Sequence, residues 1–387
     1  MPVAQRMEAV QSPIIPVVAE WIRQHPGTIS LGQGVVHYGP PPHAMAQIER
    51  FLADGNHKYQ PVDGVPVLRE ALYAKLKSDN GIVVSRHNAL VVTAGGNMAF
   101  FNALAAIADP GDEVILPTPY YFNHEMAVTM LSCRPVLAPT RDDYQLDPAA
   151  IAERISPRTR AIVTVSPNNP TGAVYSRESL VAVSELCRRH GLYHIHDEAY
   201  EYFVFDGAAH FSPASLADAT DYTISLFSLS KAYGFASWRI GYMFIPSALL
   251  TAVKKVQDTI VICPPVISQY AAAGALEAGR EWCRQRITQF DGVRADVVDE
   301  LRDIEDICAL PTSQGALYFL LHIDTQLDAL TLAERLIRDH GVALIPGNTF
   351  GIDRGCYLRM SYAGLARDQV LEGTRRLVAG LRVIVSP

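Results

Sequence analysis

Between residues 60 and 250 the chain alternates two patterns. Short runs are apolar at consecutive positions: ALVVT (89–93), DEVILP (112–117), AIVTVSP (161–167), LYHIH (192–196), YTISLFS (222–228) and RIGYMFI (239–245). Rich in branched and aromatic residues, they read as strands without a polar face. Between most of them, apolar residues recur at three- and four-residue spacing. PVLREALYAKLKSDNG carries them at 67, 68, 71, 72 and 76 and closes on Asn80-Gly81, a helix followed by its stop. NMAFFNALAAIA, HEMAVTML and RESLVAVSELCRR read as helices too. Strands apolar on both faces need cover on both sides, so the pattern predicts an α/β fold with a mainly parallel sheet between helical layers.

After about residue 285 the texture changes. Longer helices (DGVRADVVDELRDI, LTLAERLIRDHG) are interspersed with the strands GALYFLLHI, VALIP and YLRMSYA. A second, smaller α/β domain is expected there. The expected division is an N-terminal arm with part of the small domain over 1–45, a large domain over 46–285, and the small C-terminal domain over 286–387.

Composition narrows the function classes. The chain has 387 residues, 49% apolar and 19% charged, as expected for a well-buried globular enzyme. A net charge of −7 gives no electrostatic reason to bind nucleic acid. No apolar run is long enough to span a bilayer. The opening MPVAQRMEAVQSPIIPVVAEWIRQ is broken by Glu8, Pro13, Pro16 and Glu20, unlike a signal peptide. Six cysteines, at 133, 187, 263, 283, 308 and 356, form no C-x-x-C pair. Neither a metal site nor a disulfide framework is expected, and a reduced, cytoplasmic protein is.

In open α/β sheets the ligand lies beyond the carboxyl ends of the strands. Polar and small residues gather there: Gly95-Gly96-Asn97, Tyr120-Tyr121, Asn168-Asn169, Asp197, and Ser228 to Lys231. TAGGNMAF can present backbone N–H groups to a phosphate at a helix start, although a tight turn explains it equally. SPNNPTG reads as a turn, or as an amide aimed at a ligand oxygen. Asp197, with Tyr200 three residues on, fits a helix N-cap or a buried carboxylate facing a cationic ring nitrogen. Lys231, in SLSKAYGFASWRIGY, has no charged neighbour between Asp221 and Arg239. A lysine in an apolar pocket has a lowered pKa and can form a Schiff base. With Ser228, Ser230 and Arg239 for a phosphate, the parts fit a pyridoxal phosphate site.

The ordered set NPTG, D-x-x-Y, S-x-S-K and R-I-G-Y, set between LGQG at 31 and LRMSYA at 358, resembles the class I/II aminotransferases of fold type I, the aspartate aminotransferase superfamily. The resemblance covers nearly the whole chain. It implies a three-layer large domain around a seven-stranded sheet, bound pyridoxal 5′-phosphate, and ping-pong transamination between an L-amino acid and a 2-oxo acid. It makes Lys231 the Schiff-base lysine and proton shuttle, and Asp197 the partner of the pyridine nitrogen. Tyr200 and Asn169 become the pair on the phenolate oxygen. Gly95, Gly96, Asn97, Ser228, Ser230 and Arg239 form the phosphate cup, and Tyr121 stacks on the cofactor. Tyr59 would reach the phosphate of a neighbouring subunit, which implies a homodimer. Arg359 would clamp the substrate α-carboxylate, with Gly34 and Asn169 beside it.

Departures bear on specificity. VVHYGPP replaces the family's usual residues after the glycine pair, so Val35, Val36, His37 and Tyr38 are expected to shape a different pocket wall. Asn97 stands where some dicarboxylate-specific relatives have lysine. Tyr38, Tyr121, Phe122 and Tyr233 favour a neutral side chain, aromatic or long and aliphatic. His124, His194 and His196 are expected to be structural. The alternatives are an aspartate-type aminotransferase, a C–S lyase or cyclising enzyme on the same cofactor, and a non-catalytic cofactor-sensing domain of a transcription regulator.

Overall fold

The computed structural model describes residues 3–55, 57–309 and 312–385. Seven strands form its central sheet: Asn88–Thr93 (β1), Glu113–Thr118 (β2), Arg134–Pro139 (β3), Thr159–Val165 (β4), Tyr193–Asp197 (β5), Thr223–Ser228 (β6) and Gly241–Pro246 (β7). The spatial order is β1-β7-β6-β5-β4-β2-β3. All pairs are parallel except those of β7, which runs antiparallel to β1 and β6. Strand periodicity sorts the apolar side chains to two faces. Val91, Met243 and Ile245 pack with Phe100, Leu104 and Val253. Leu90, Val92, Tyr242 and Phe244 pack on the opposite side with Leu72, Leu76 and Ala272, and Ile115 and Ile162 lie with Leu180 and Val183 of helix Arg177–His190.

The sequence pattern missed one strand of this sheet. β3, RPVLAP, exposes Arg134, Leu137 and Pro139 and contains two prolines, a composition that only an edge position tolerates. The pattern also left helices Leu250–Val261 and Val266–Glu277 unassigned; the second packs on helix Pro42–Asp54.

The second sheet is antiparallel and four-stranded: Cys308–Ala309 (β8), Tyr318–Ile323 (β9), Ile345–Pro346 (β10) and Cys356–Ser361 (β11), in the order β10-β11-β9-β8. VALIP, read as one strand, divides. Its Val342–Ala343 pairs in parallel with Ile29–Ser30, and its Ile345–Pro346 pairs with β11. The N-terminal segment is thereby tied to the C-terminal third of the chain. The expected boundaries at 45 and 285 fall inside helices Pro42–Asp54 and Gly279–Ile287. Among the described residues no helix is long and apolar enough to cross a membrane, and no group of His, Cys, Asp or Glu is placed to hold a metal ion.

Candidate active site

Beyond the carboxyl ends of β2, β4, β5 and β6 lies a cavity of about 250 Å³. Gly96, Asn97, Tyr121, Asn169, Asp197, Tyr200, Ser228, Ser230, Lys231 and Arg239 all line it. A second cavity of about 300 Å³ shares Val35, Tyr121, Asn169, Tyr200 and Lys231 with the first and extends to Gly34, Ile15, Phe122, Tyr318 and Arg359. Residues from Ile15 to Arg359, nearly the two ends of the chain, thus converge on Lys231 and its surroundings.

One end of the first cavity is rich in donors. Helix Gly96–Ile107 begins there, and helix N-termini attract anions. The Arg239 guanidinium donates to the Ala236 carbonyl at 2.9 Å and to Ser230 Oγ at 3.4 Å. Gly95 is buried behind it and does not line the cavity. Its φ is +89°, and a Cβ there would stand 2.2 Å from Arg239 Nη2, so this position admits the guanidinium only as glycine. Two serines, an arginine and free helix N–H groups suit a phosphate dianion.

On the same cavity lies Asp197, 7% exposed. One oxygen accepts the Ala199 N–H at 3.0 Å, and the other lies 3.1 Å from His124 Nε2. The His124 ring stacks on Phe100, with centroids 4.1 Å apart. His124 is thus buried, packed and paired, as expected of a structural histidine, and the group it pairs with is a cavity carboxylate. His194 and His196 are structural: Ser184, His194, Thr164 and His196 form a buried chain of contacts of 2.6–2.9 Å. Burial pushes the His194 pKa down to about 3, and burial with the neighbouring His194 and His210 lowers that of His196.

Lys231 Nζ donates to the Gly34 carbonyl at 2.6 Å and lies 5.6 Å from the Tyr200 ring centroid. Burial lowers its pKa; Tyr318 and Asp197 oppose this, and Arg359 and Arg239 add to it. The amine is moved toward its neutral, nucleophilic form. The Tyr200 hydroxyl is 2.7 Å from that of Tyr318 and 3.5 Å from Asn169 Nδ2. Burial raises its pKa well above 10, so it stays protonated and able to donate. Arg359, 2% exposed, donates to Asn169 Oδ1 at 2.9 Å and to the Gly32 carbonyl at 2.7 Å. Its Nε has no partner, and its guanidinium lies over the rings of Tyr318 and Phe350 at 4.3 and 5.0 Å. A buried guanidinium held by neutral groups, with a donor to spare, suits a carboxylate brought in by a ligand.

Besides Gly95, three sequence-predicted residues lie outside both cavities. Tyr38 lines neither cavity. Its hydroxyl donates to the Ala232 carbonyl at 3.0 Å, and its ring packs edge-on to Trp282, leaving Val35 to face the ligand space. Tyr233 is buried and stacked on Trp282. Tyr59 is 79% exposed and outside both cavities. Sequence reasoning in turn missed Tyr318, Ile15 and the contact of His124. The one signal for His124 was its spacing: three residues after Tyr121 on one helical turn, with rings 5.1 Å apart.

The residues present fit pyridoxal phosphate: a donor-rich end that only a glycine at 95 leaves open, a buried carboxylate, and an amine of lowered pKa between them. Fold and site together define a fold-type I enzyme dependent on that cofactor. The family model for aminotransferase class I and II matches residues 26–377, and the chain belongs to this family. It is an enzyme that transfers amino groups between amino acids and 2-oxo acids with pyridoxal phosphate. A probable aspartate/prephenate aminotransferase of Aquifex aeolicus is 34% identical, over 92% of this chain and 91% of that relative. An aromatic aminotransferase of Arabidopsis thaliana is 31% identical, over 99% and 97%. Among solved structures, the aspartate aminotransferase of Thermus thermophilus with maleate superposes with a TM-score of 0.88 at 32% identity, covering 98% of this chain and all of that one. The eliminating, cyclising and cofactor-sensing alternatives gain no support from these relatives.

Proposed function

We propose that this aminotransferase works on L-amino acids with neutral, aromatic or long aliphatic side chains, as a cytoplasmic homodimer. One observation carries the substrate reading. Ile15, Val35 and Phe122 form the apolar part of the second cavity's wall; the rest is neutral and polar, and among the described residues its cations are Arg359 and Lys231. With Arg359 engaged by the α-carboxylate and Lys231 by the reaction, a second carboxylate on the side chain would lose hydration without a cationic partner among the described residues. Among the relatives, the aromatic aminotransferases fit this wall better than the aspartate enzymes do.

In this reading, bound pyridoxal phosphate supplies the electron sink for bond breaking at the substrate Cα. Arg359 grips the α-carboxylate, its fork aligned by Asn169 and the Gly32 carbonyl, and so turns the substrate amine toward Lys231. Neutral Lys231 Nζ takes the Cα proton and returns it on the other side of the transfer. Asp197, steadied by His124 and the Ala199 N–H, would pair with the ring nitrogen, and Tyr200 and Asn169 would donate to the ring oxygen. Gly96, Asn97, Ser228, Ser230 and Arg239 would hold the phosphate. The second half-reaction uses the same groups in reverse order.

The dimer reading rests on exposed apolar groups. Tyr59, Ile260, Ile262 and Ile267 are 79, 47, 37 and 37% exposed, and a second copy would cover them and bring Tyr59 to its own phosphate site. Six unpaired, mostly buried cysteines suit a reducing compartment.

The test is a half-reaction. Holoenzyme is mixed with single amino acids and no oxo acid, and the cofactor's visible band is followed. Phenylalanine, tyrosine, leucine and methionine are expected to bleach it at least about ten-fold faster than aspartate, as an unpaired buried charge requires. A faster reaction with aspartate reassigns the enzyme to dicarboxylates. A band that persists while ammonia accumulates reassigns the reaction.

A further inference from the structure

We propose that Tyr318 is a positioning residue that joins the carboxylate clamp to the phenol donor, its ring carrying Arg359 and its hydroxyl setting the direction in which Tyr200 donates. The inference rests on the family's site and is independent of the side-chain preference proposed above.

Tyr318 opens β9, and Arg359 lies in β11, where it pairs with Leu320, two residues on from Tyr318. Residues two apart on a strand share a face, so this register places the phenol ring beside the guanidinium, 4.3 Å from it. An aromatic face holds a cation without taking up its hydrogen-bond donors. Arg359 is thereby located while its Nε stays unpartnered. The Tyr318 hydroxyl reaches across to the Tyr200 hydroxyl at 2.7 Å, and the two rings meet edge to face. Space for that hydroxyl is made by Gly34, where a Cβ would stand 2.0 Å from it. The Gly34 carbonyl in turn accepts from Lys231 Nζ. Clamp, phenol and amine all touch this one side chain or the residue it abuts.

Each hydroxyl carries one proton. When Tyr318 donates to Tyr200, the Tyr200 proton is left to point into the cavity, and its donation is strengthened by the bond it accepts. Without the Tyr318 hydroxyl, the donor left to Tyr200 among the described residues is Asn169 Nδ2, at the longer distance of 3.5 Å. Donation from Tyr200 stabilises negative charge on the cofactor's ring oxygen, so weaker donation raises the pH at which the bound chromophore loses its proton.

The test is a spectroscopic pH titration of holoenzyme without amino acid, which reads the site whatever the substrate. Tyr318→Phe keeps the ring and removes the hydroxyl. Its midpoint is expected to rise by about half a unit to one unit, the effect of one neutral hydrogen bond. Its KM for the amino acid that bleaches the band fastest is expected to stay within about two-fold, since the cation–π face remains. Tyr318→Leu removes both features, and its KM is expected to rise about ten-fold beyond that of the Phe variant. An unmoved midpoint in Tyr318→Phe overturns the proposal for Tyr200, and equal KM values in the two variants overturn it for Arg359. If Tyr318→Leu fails to fold, judged by melting of the cofactor-free protein, the Tyr318→Phe titration decides alone. A preference for aspartate in the amino-acid panel would overturn the substrate reading and leave the expected midpoint shift unchanged.

Discussion

Nε2 of His124 lies 3.1 Å from Oδ2 of Asp197, with the ring packed flat against Phe100. An imidazole fixed on one face by an aromatic ring and on one edge by a carboxylate cannot swing away, and neither can the carboxylate. If Asp197 faces the ring nitrogen of the cofactor, His124 sets its angle. His124→Phe is expected to keep the stacking but free the carboxylate. The dissociation constant of pyridoxal phosphate is expected to rise about ten-fold, the cost of one charge-assisted contact. Equilibrium dialysis against the cofactor checks this, and an unchanged constant would leave His124 with packing alone.

Lys231 carries two separable consequences. Lys231→Met is expected to lose the visible band of the bound cofactor and at least about a thousand-fold in turnover, as removal of a covalent group does. The second effect concerns the cofactor-free protein. Burial places the folded-state pKa of Lys231 below its ordinary value of 10.5. Below the folded pKa the desolvated charge is a full penalty on the native state. As pH rises from there toward 10.5 the folded protein holds fewer protons than the unfolded chain, and the penalty is relieved. Wild-type stability relative to Lys231→Met is therefore expected to increase with pH, read from urea unfolding between pH 7 and 10. A difference independent of pH would mean that the amine sits in water.

Arg359 tests the clamp. Its contacts to Asn169 and Gly32 use both terminal nitrogens, a fork that lysine cannot reproduce. Arg359→Lys is expected to lower kcat/KM for amino acids about ten- to hundred-fold, the range for one or two charge-assisted hydrogen bonds. Affinity for pyridoxal phosphate is expected to change less than two-fold, because Arg359 is held by Asn169, Gly32, Tyr318 and Phe350, away from the phosphate end. Comparable losses in both would make the residue structural.

The strand-end residues were legible because each sits next to its own local signal. Asp197 follows a buried strand, Ser228 to Lys231 follows another, and Gly95-Gly96 opens a helix. The sheet was legible for the same reason, except for edge strand β3, whose prolines and exposed Leu137 hide its pairing. What stayed hidden depended on partners distant in sequence. Tyr318 lies within GALYFLLHI, which reads as an ordinary buried strand; its meaning comes from Tyr200, 118 residues away. His124 depends on Asp197 in the same way. Tyr38 erred in the other direction. Its place after LGQG pointed at the ligand, yet its hydroxyl donates to the carbonyl at 232 and its ring packs on Trp282.

The buried histidines of β5 make the fold acid-sensitive. His194 is fully buried and contacts Ser184 and Thr164 through its two nitrogens. Burial brings its pKa from 6.5 to about 3, and His196 is shifted in the same direction. A depressed folded pKa means stability that is complete above pH 6.5 and lost as pH falls toward 3, because only the unfolded chain takes the proton in that window. The loss is about 1.4 kcal/mol per pH unit for each such histidine. Urea unfolding of the cofactor-free protein is expected to follow that slope between pH 5.5 and 4.5, and to change less per unit between pH 7.5 and 5.5. His194→Gln, which cannot titrate, is expected to be less stable at pH 7.5 because it disturbs the Ser184–Thr164 contacts, but to lose less of its stability on acidification. A variant as acid-sensitive as the wild type would place the effect on other groups, such as the carboxylates paired in the native state.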